Sequence, residues 1–364
     1  MINPFNPGFG NISPSCIKRP AMQQKLLDQA DQLQQGFRSI FIDGPRGCGK
    51  TVFLNDLGDA MLDRDGWITV DLELHDDFLS TLVGAIYYQA SAAITKELDV
   101  LDYDTPSEMF IQYVETLTKY QQRLFITVDE ANQPTESLLT LLQLCQQLGN
   151  HGNSIMVVLA GITSRMPQFL GDDNFAALVQ KSRRLTLPML DLDTVANQYQ
   201  QIFTKAHRVI EPEVLPNIAA ATGGYAYAFQ ILGSLLWESG VKKINPAAFE
   251  KIMPDYQQQL FSNAYLPIVD ELTTGDREVI EILAHEISSV VDEGFLKEQI
   301  DDTSTAAPVC LQHLIENQIV SLPQPGQVAF ALPYFCHTFG NLPLKTRHAL
   351  LKRRLMSNSA IQPG

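Results

Sequence analysis

Three glycines, a lysine and a threonine stand at a fixed spacing in the stretch FIDGPRGCGKTVFL. Gly44, Gly47, Gly49, Lys50 and Thr51 fit the pattern G-x-x-x-x-G-K-[ST]. Glycine adopts backbone angles that side chains forbid, so successive amide groups can turn inward around an anion. The lysine that follows can reach the β- and γ-phosphates, and the threonine hydroxyl can hold Mg²⁺. The spacing therefore predicts a loop that binds the phosphates of ATP.

Every residue of this loop is assigned to phosphate binding in the prediction. The eight residues are Gly44, Pro45, Arg46, Gly47, Cys48, Gly49, Lys50 and Thr51. Cys48 occupies a variable position of the pattern, where a filler residue is favoured over a redox group. The alternative for the whole stretch is a glycine-rich turn with no ligand.

A second cluster of chemistry-bearing residues follows the apolar run RLFITV. Asp129 and Glu130 come directly after it, and a phosphate loop needs a carboxylate near its metal at the end of a neighbouring strand. Asp129 is predicted to hold Mg²⁺ together with Thr51, and Glu130 is the candidate catalytic residue that orients and deprotonates water. The alternative is a strand that simply ends in two solvated acids.

Polar residues at two later positions are further candidates. VVLAGITSRM places Thr163, Ser164 and Arg165 after an apolar run, where a polar residue could sense the γ-phosphate, with helix capping as the alternative. LVQKSRRLTL places Arg183 and Arg184 before the last predicted strand. Either could act as an arginine finger on a neighbouring subunit's nucleotide, or both could be solvated surface charges.

The elements that must position these residues alternate between strand and helix. Strands are predicted at about 38–43, 67–74, 123–129, 154–161 and 183–190, with helical patterns between them. Such alternation indicates a parallel sheet covered by helices on both faces. Beyond 190 the pattern is helical, and residues 274–340 show three helices and a hairpin around Pro-Gly, which is the winged-helix pattern.

These patterns predict the fold class and the domains. The fold class is α/β: a P-loop NTPase with a five-stranded parallel sheet, a helical lid and a winged-helix domain. The domains are expected at 1–190 for the core with an N-terminal arm, 191–272 for the lid, 273–340 for the winged helix and 341–364 for a basic tail.

Composition restricts the cellular setting and the partners. The chain has 364 residues and a net charge of −15, so the global field repels nucleic acid and any contact with it needs a local basic patch. Its five cysteines include no C-x-x-C pair, which favours a reducing cytosol over a disulfide framework or zinc site. No apolar run approaches a membrane span, and we expect a cytoplasmic protein without membrane contact.

The motifs taken together resemble a known family. The phosphate loop, FITVDE, the arginine pair and ATGGYAYAFQILG recur in this order in AAA+ ATPases of the archaeal-initiator type, which are related to the STAND signal ATPases. With its NPFNPGFG arm and FALPYF segment, the chain is most similar to bacterial ATP-binding proteins that carry a C-terminal winged helix. The resemblance covers about residues 1–340.

The resemblance implies a five-stranded core, a helical lid over the nucleotide, and adenine held between them by the N-terminal segment. It implies that residues 44–51 carry phosphate, Asp129 carries Mg²⁺ and Glu130 carries catalysis, and that residues 17–19 begin an adenine-proximal helix. GGYAYAFQ lacks the lid arginine of initiators, and Ala226 replaces the proline of the signal ATPases. Which residue senses the γ-phosphate is therefore left open. Tyr225 and Tyr227 could contact the base, with lid packing favoured.

Three functions remain in competition. The favoured one is an ATP-hydrolysing switch whose winged helix contacts a protein partner and whose arginine pair permits a nucleotide-dependent homo-oligomer. The second is an ATP-licensed DNA-binding initiator or regulator, although TAAPVCLQHLIENQIV contains no Lys or Arg, which major-groove recognition usually requires. The third is a nucleotide-stabilised scaffold. Basic residues cluster only in the tail, as Lys345, Arg347, Lys352, Arg353 and Arg354.

Overall fold

The computed structural model describes residues 2–8, 13–73, 75, 77–100, 103–131, 133–161, 171, 173–286, 290–299 and 307–336. The sensor candidates Thr163, Ser164 and Arg165 and the basic tail lie outside these residues. The chain divides into two compact units, one formed by residues 18–43 and 50–187 and the other by residues 1–17, 44–49 and 188–364. The arm, expected in the core domain, thus falls in the second unit.

A parallel sheet of five strands forms the centre of the first unit. The strands are β1 Gly36–Asp43, β2 Trp67–Leu72, β3 Arg123–Val128, β4 Ser154–Ala160 and β5 Arg183–Thr186. All of β4 and all of β3 beyond Arg123 are buried, as expected for strands covered on both faces. The predicted five-stranded parallel sheet is confirmed.

The strand order is β2-β3-β4-β1-β5, which corrects one detail of the sequence prediction. Asp129 was expected at the end of a strand neighbouring the one that leads into the phosphate loop. β4 lies between β1 and β3, so two inter-strand spacings, about 10 Å, separate those strands. The chain order of the elements does not determine which strands pair, and the sequence pattern could not supply it.

Seven helices of the first unit lie among its described residues. They are α1 Pro20–Asp31, α2 Lys50–Leu62, α3 Phe78–Gln89, α4 Ala92–Leu98, α5 Pro106–Lys119, α6 Glu136–Asn150 and α7 Asp173–Lys181. Three of them, α3 to α5, lie between β2 and β3. α5 begins at a capping box in which the side chains and backbone amides of Thr105 and Glu108 bond reciprocally, and this fixes the N-terminus of the helix.

The second unit is mainly helical after Pro188. Its helices are α8 Leu192–Lys205, α9 Leu215–Thr222, α10 Ala226–Glu238, α11 Pro246–Leu260, a π-helical turn Phe261–Tyr265, α12 Leu266–Glu271, α13 Thr274–His285, α14 Glu293–Gln299 and α15 Ala307–Glu316. Its short strands are β6 Val209–Ile210, β7 Lys243–Ile244, β8 Val290–Asp292, β9 Val320–Ser321 and β10 Gln327–Phe330.

The N-terminal arm supplies part of the core of the second unit. Phe5 is buried, and its ring lies 5.5 Å from that of Phe229 and 6.0 Å from that of Phe203. A side chain at Gly233 would collide with Phe5, so the arm seats directly against α10.

The C-terminal part of the second unit combines helices with a small sheet. β8, β10 and β9 pair antiparallel in that order, and α13, α14 and α15 are joined to them in the chain order helix, strand, helix, helix, hairpin. None of the helices in the described parts of the chain is long and apolar enough to cross a lipid bilayer.

Candidate functional site

The backbone of the glycine loop turns where the sequence pattern placed glycine. β1 ends at Asp43 and α2 begins at Lys50, so the strand–loop–helix context of the motif is present. Gly44, Gly47 and Gly49 have φ angles of 153°, 77° and 99°, in the region that other residues rarely adopt. The Cys48 amide donates to the Pro45 carbonyl at 3.2 Å and closes the turn.

Two tyrosines at the start of α10 hold the loop backbone from one side. The Tyr225 hydroxyl donates to the Arg46 carbonyl at 2.5 Å, and the Tyr227 amide donates to the Gly47 carbonyl at 3.1 Å. Both tyrosine side chains are buried. Burial raises the pKa of Tyr225 well above its usual value, so its hydroxyl stays a donor. These contacts join the start of α10 to the backbone of the glycine loop.

Asp43, the last residue of β1, is fully buried and forms an ion pair with Arg184 of β5. Both Nε and Nη2 of the guanidinium bond to Asp43 Oδ2, and the neighbouring strands place Arg184 level with Phe41. Asp43 Oδ1 is buried with no hydrogen-bond partner among the described residues. The pair fixes β5 to the strand that leads into the glycine loop.

The two predicted carboxylates follow β3 at the edge of the sheet where β1 also ends. Phe41, Leu159 and Val128 are level with one another across β1, β4 and β3, so Asp129 leaves β3 where β1 approaches its own end. Asp129 is half-buried and Glu130 is exposed. The Glu130 amide donates to Asp129 Oδ1 at 2.9 Å, and no cation among the described residues pairs with Asp129. The pair is therefore placed to take ligands at this sheet edge.

Glu130 has an unusual backbone conformation. Its φ is +54°, a left-handed geometry that few residues other than glycine adopt and that costs about 1–2 kcal/mol. The next residue, Ala131, returns to the sheet edge by donating its amide to the Ala160 carbonyl at 2.7 Å. Strain of this kind is concentrated at functional sites in proteins.

The arginine pair is divided between two environments. Both residues are exposed, but Arg184 is ion-paired with Asp43, whereas Arg183 lines a surface pocket of about 570 Å³. Lys181 and Arg38 line the same pocket, so three cationic residues contribute to its wall. Sequence patterns cannot distinguish the two arginines, because the ion pair joins residues 141 positions apart.

The donor groups at the sheet edge fit Mg²⁺ and phosphate. Lys50 offers an ammonium group, while Thr51 and Asp129 offer hard oxygen ligands of the kind that Mg²⁺ prefers. Among the described residues no group of three or more His, Cys, Asp or Glu could hold a metal ion. Mg²⁺ typically takes one or two carboxylates and completes its shell with water and phosphate oxygens.

Sequence reasoning missed two participants. Asp43 precedes the motif and was not singled out, although an acid inside an apolar strand calls for a charged partner. The hydroxyl contact of Tyr225 with the loop also escaped prediction, since it links residues 179 positions apart.

Comparisons with known proteins agree with this geometry. Residues 33–169 match a family model described as an AAA domain. Among curated proteins no relative matches the sequence. The structure is similar to the Orc2 protein of Aeropyrum pernix, solved as its ADPNP–ADP complexes, at 16% identity and a TM-score of 0.57 over 94% of each chain.

The structure is also similar to the Walker-type ATPase PABY2304 of Pyrococcus abyssi. The two share 12% identity and a TM-score of 0.60, with coverage of 88% of this chain and 95% of that one. At these identities the likeness concerns the fold. The core of this chain is thus an α/β P-loop NTPase fold with an AAA domain match.

Proposed function

We propose that this chain binds ATP with Mg²⁺ and hydrolyses it, as a switch of the AAA+/STAND type. The observation that carries the proposal is the glycine loop between β1 and α2, with positive φ at Gly44, Gly47 and Gly49. The AAA domain match and the similarity to the Orc2 protein and to a Walker-type ATPase support it.

Different residues are assigned to phosphate binding and to metal binding. Loop amides over residues 44–49 and the start of α2 face the phosphates, where the helix N-terminus adds about half a positive charge. Lys50 binds the β- and γ-phosphates, and Thr51 and Asp129 hold the metal. Bound Mg²⁺ supplies neutralisation of the phosphate charge.

Glu130 acts as the general base. Its carboxylate orients a water molecule and accepts its proton as that water attacks the γ-phosphate, while the bond from the γ-phosphorus to the β,γ-bridging oxygen breaks and ADP leaves. The left-handed backbone at Glu130, together with its position directly after Asp129, supports a role that needs this one orientation.

We further propose that Arg183, rather than Arg184, serves a neighbouring subunit in a nucleotide-dependent homo-oligomer. Arg184 already neutralises the buried Asp43, so removing it for another task leaves a buried charge unpaired. Arg183 is exposed in a pocket that also holds Lys181 and Arg38. A cation there could reach a phosphate across an interface.

The lid over 191–272 and the winged helix over 273–340 are proposed to transmit the nucleotide state to a protein partner. α15 and the hairpin strands β9 and β10 contain no Lys or Arg, and groove recognition in DNA usually depends on them. Binding of DNA in a salt-dependent gel shift, abolished by changes in α15, would replace the protein partner with DNA.

A thermal-shift titration tests nucleotide binding. Mg-ATP at about 100 times its dissociation constant should stabilise the wild type by roughly 2.7 kcal/mol, and Lys50→Ala should remove this stabilisation. An unchanged melting temperature in saturating Mg-ATP would refute the proposal.

Steady-state phosphate release tests hydrolysis separately. Glu130→Gln should lower the turnover by about 10²- to 10⁴-fold while ATP still stabilises the protein. Equal rates for the variant and the wild type would remove Glu130 from the mechanism. Stabilisation by ATP without turnover in the wild type would leave the nucleotide-stabilised scaffold.

A further inference from the structure

An aromatic pocket lies between α3 and α5, among the helices inserted between β2 and β3. Its volume is about 520 Å³, and it is lined by Tyr87, Tyr103 and Tyr113 together with Val83 and Met109. The ring centroids of Tyr103 and Tyr113 are 5.7 Å apart, and those of Tyr87 and Tyr113 are 6.4 Å apart. The connection between the parallel strands β2 and β3 needs only one helix. The two additional helices among α3, α4 and α5 can therefore have a role other than joining the strands.

Two of the phenol groups are already anchored. The Tyr87 hydroxyl donates to Asp99 Oδ1 at 2.8 Å, and the Tyr103 hydroxyl donates to the Leu98 carbonyl at 3.2 Å. The hydrogen bonds hold these two rings in place and occupy their donors. What the three tyrosines offer a ligand is mainly the negative face of each ring.

Two carboxylates, those of Asp99 and Asp104, lie beside these rings. Burial raises the pKa of Tyr103 to about 12 and raises that of Tyr113, and the Asp99 carboxylate adds to both shifts. For Tyr87 the hydrogen bond to Asp99 is the leading cause of a raised pKa. Asp104 lies in the pocket wall, and none of the described lining residues is a Lys or Arg.

The surrounding segment is acidic as well. Residues 73–120 contain nine acidic and two basic residues, a net charge of −7 within a chain whose net charge is −15. Such a field attracts cations and raises their local concentration. The combination of fixed aromatic faces and carboxylates is the chemistry that selects a cationic group.

We propose that this pocket binds the lysine or arginine side chain of a basic peptide segment in another protein. The rings of Tyr87, Tyr103 and Tyr113 enclose the cation, while Asp99 and Asp104 supply its counter-charge. The inference concerns a different part of the chain from the nucleotide site and does not depend on ATP binding.

Fluorescence anisotropy with a labelled peptide of alternating lysine and glycine tests this proposal at physiological ionic strength. The full-length protein should bind this peptide and should bind the same peptide with acetylated lysines at least about tenfold more weakly. Tyr87→Ala should weaken binding by about fivefold to tenfold, and Asp99→Asn by about threefold to fivefold.

Matched controls separate the pocket from general acidity. Tyr88 neighbours Tyr87 on α3 and is 89% exposed, and Asp59 is an exposed acid on α2. Tyr88→Ala and Asp59→Asn should leave binding within about twofold of the wild type. If Tyr87→Ala lowers the melting temperature, Tyr103→Phe, which keeps the ring, should still bind, whereas Tyr103→Ala should not.

Two results would overturn the proposal. One is equal binding of the free and acetylated peptides, because the pocket would then not recognise a cation. The other is equal weakening by Asp99→Asn and Asp59→Asn, because the peptide would then respond to net charge alone. Retention of peptide binding by Lys50→Ala is expected, and its loss would tie the pocket to the nucleotide site instead.

Discussion

Asp43 and Asp129 end two strands of one sheet at the same edge, and the structure gives them opposite surroundings. Asp43 is fully buried and ion-paired with Arg184. Asp129 is half-buried, and its bonding partner is the amide of the next residue. The difference shows that the type of residue and its position at a strand end do not decide its role. Arg184, from a strand of the same sheet, gives Asp43 a permanent counter-charge and a structural role. Asp129 is left available for ligands.

The largest effect is expected when the buried pair is broken. Arg184→Met leaves the fully buried Asp43 carboxylate without its cation and should lower the free energy of unfolding by about 3–5 kcal/mol. Urea denaturation followed by circular dichroism measures this change.

The double variant Asp43→Ala/Arg184→Met is the control, because it removes both charges and keeps an apolar side chain at position 184. It should recover a large part of the loss. A double variant as unstable as Arg184→Met would show that the unpaired Asp43 charge is not the source of the effect.

The other acid should show the reverse behaviour. Asp129→Asn should change the free energy of unfolding by less than about 0.5 kcal/mol, as for a surface substitution. Its rate of ATP hydrolysis should fall by about 100-fold or more, since the metal loses its carboxylate ligand. Both the stability and the rate of phosphate release should be measured on one preparation of the variant. A strongly destabilised Asp129→Asn would remove the contrast with Asp43.

A second buried acid, Asp276, sharpens the comparison because its partner is a histidine rather than an arginine. Asp276 is 1% exposed; His313 Nδ1 lies 2.8 Å from its Oδ2, and the Thr273 amide donates to the same oxygen at 3.0 Å. Burial raises the pKa of Asp276, but the hydrogen bonds with His313 and Thr273 outweigh it, and the pKa lies below its ordinary value.

The stabilisation from Asp276 should therefore be lost in acid. It is present above the pKa of an unfolded aspartate, near 3.9, and declines as the pH falls through that value towards the folded pKa. At pH 7, Asp276→Asn should cost about 1–2 kcal/mol through the weakened helix cap and hydrogen bonds. Urea midpoints from pH 6 to pH 3 should converge for the variant and the wild type, and a constant difference would contradict this account.

The smallest effect concerns the strained residue beside Asp129. Glu130→Gly should stabilise the fold by about 1 kcal/mol, because glycine accepts the positive φ without a steric cost. It should also abolish the hydrolysis assigned to the carboxylate. Glu130→Gln retains the strain and serves as the control, so equal melting temperatures for the two variants would count against strain at this position.

Much of the core could be predicted from local pattern. β3 and β4 are largely continuous apolar runs, so both strands were visible in the sequence. β5 was predicted to reach residue 190 and ends at Thr186. The Leu187 amide still bonds to the Asp43 carbonyl, but Pro188 has no amide hydrogen with which to continue.

The parts that escaped prediction are contacts between distant residues. Strand order depends on pairing between segments that no local pattern links. The position of β4 between β1 and β3 could therefore not be predicted from the sequence. The role of Arg184 depends on Asp43, and the position of Tyr225 depends on the loop carbonyl of Arg46. The loop motif itself needed no such information, since its chemistry is contained in eight consecutive residues.

The packing of Tyr225 against the glycine loop affects how mutants of that loop should be interpreted. A methyl group at position 47 would lie 2.7 Å from the Tyr225 hydroxyl and 2.9 Å from Tyr227 Cβ. Gly47→Ala would thus disturb α10 even in a protein that never meets a nucleotide. A defect in that variant says nothing about ligand affinity unless folding is measured beside it, and Lys50 is the cleaner position at which to remove the anion.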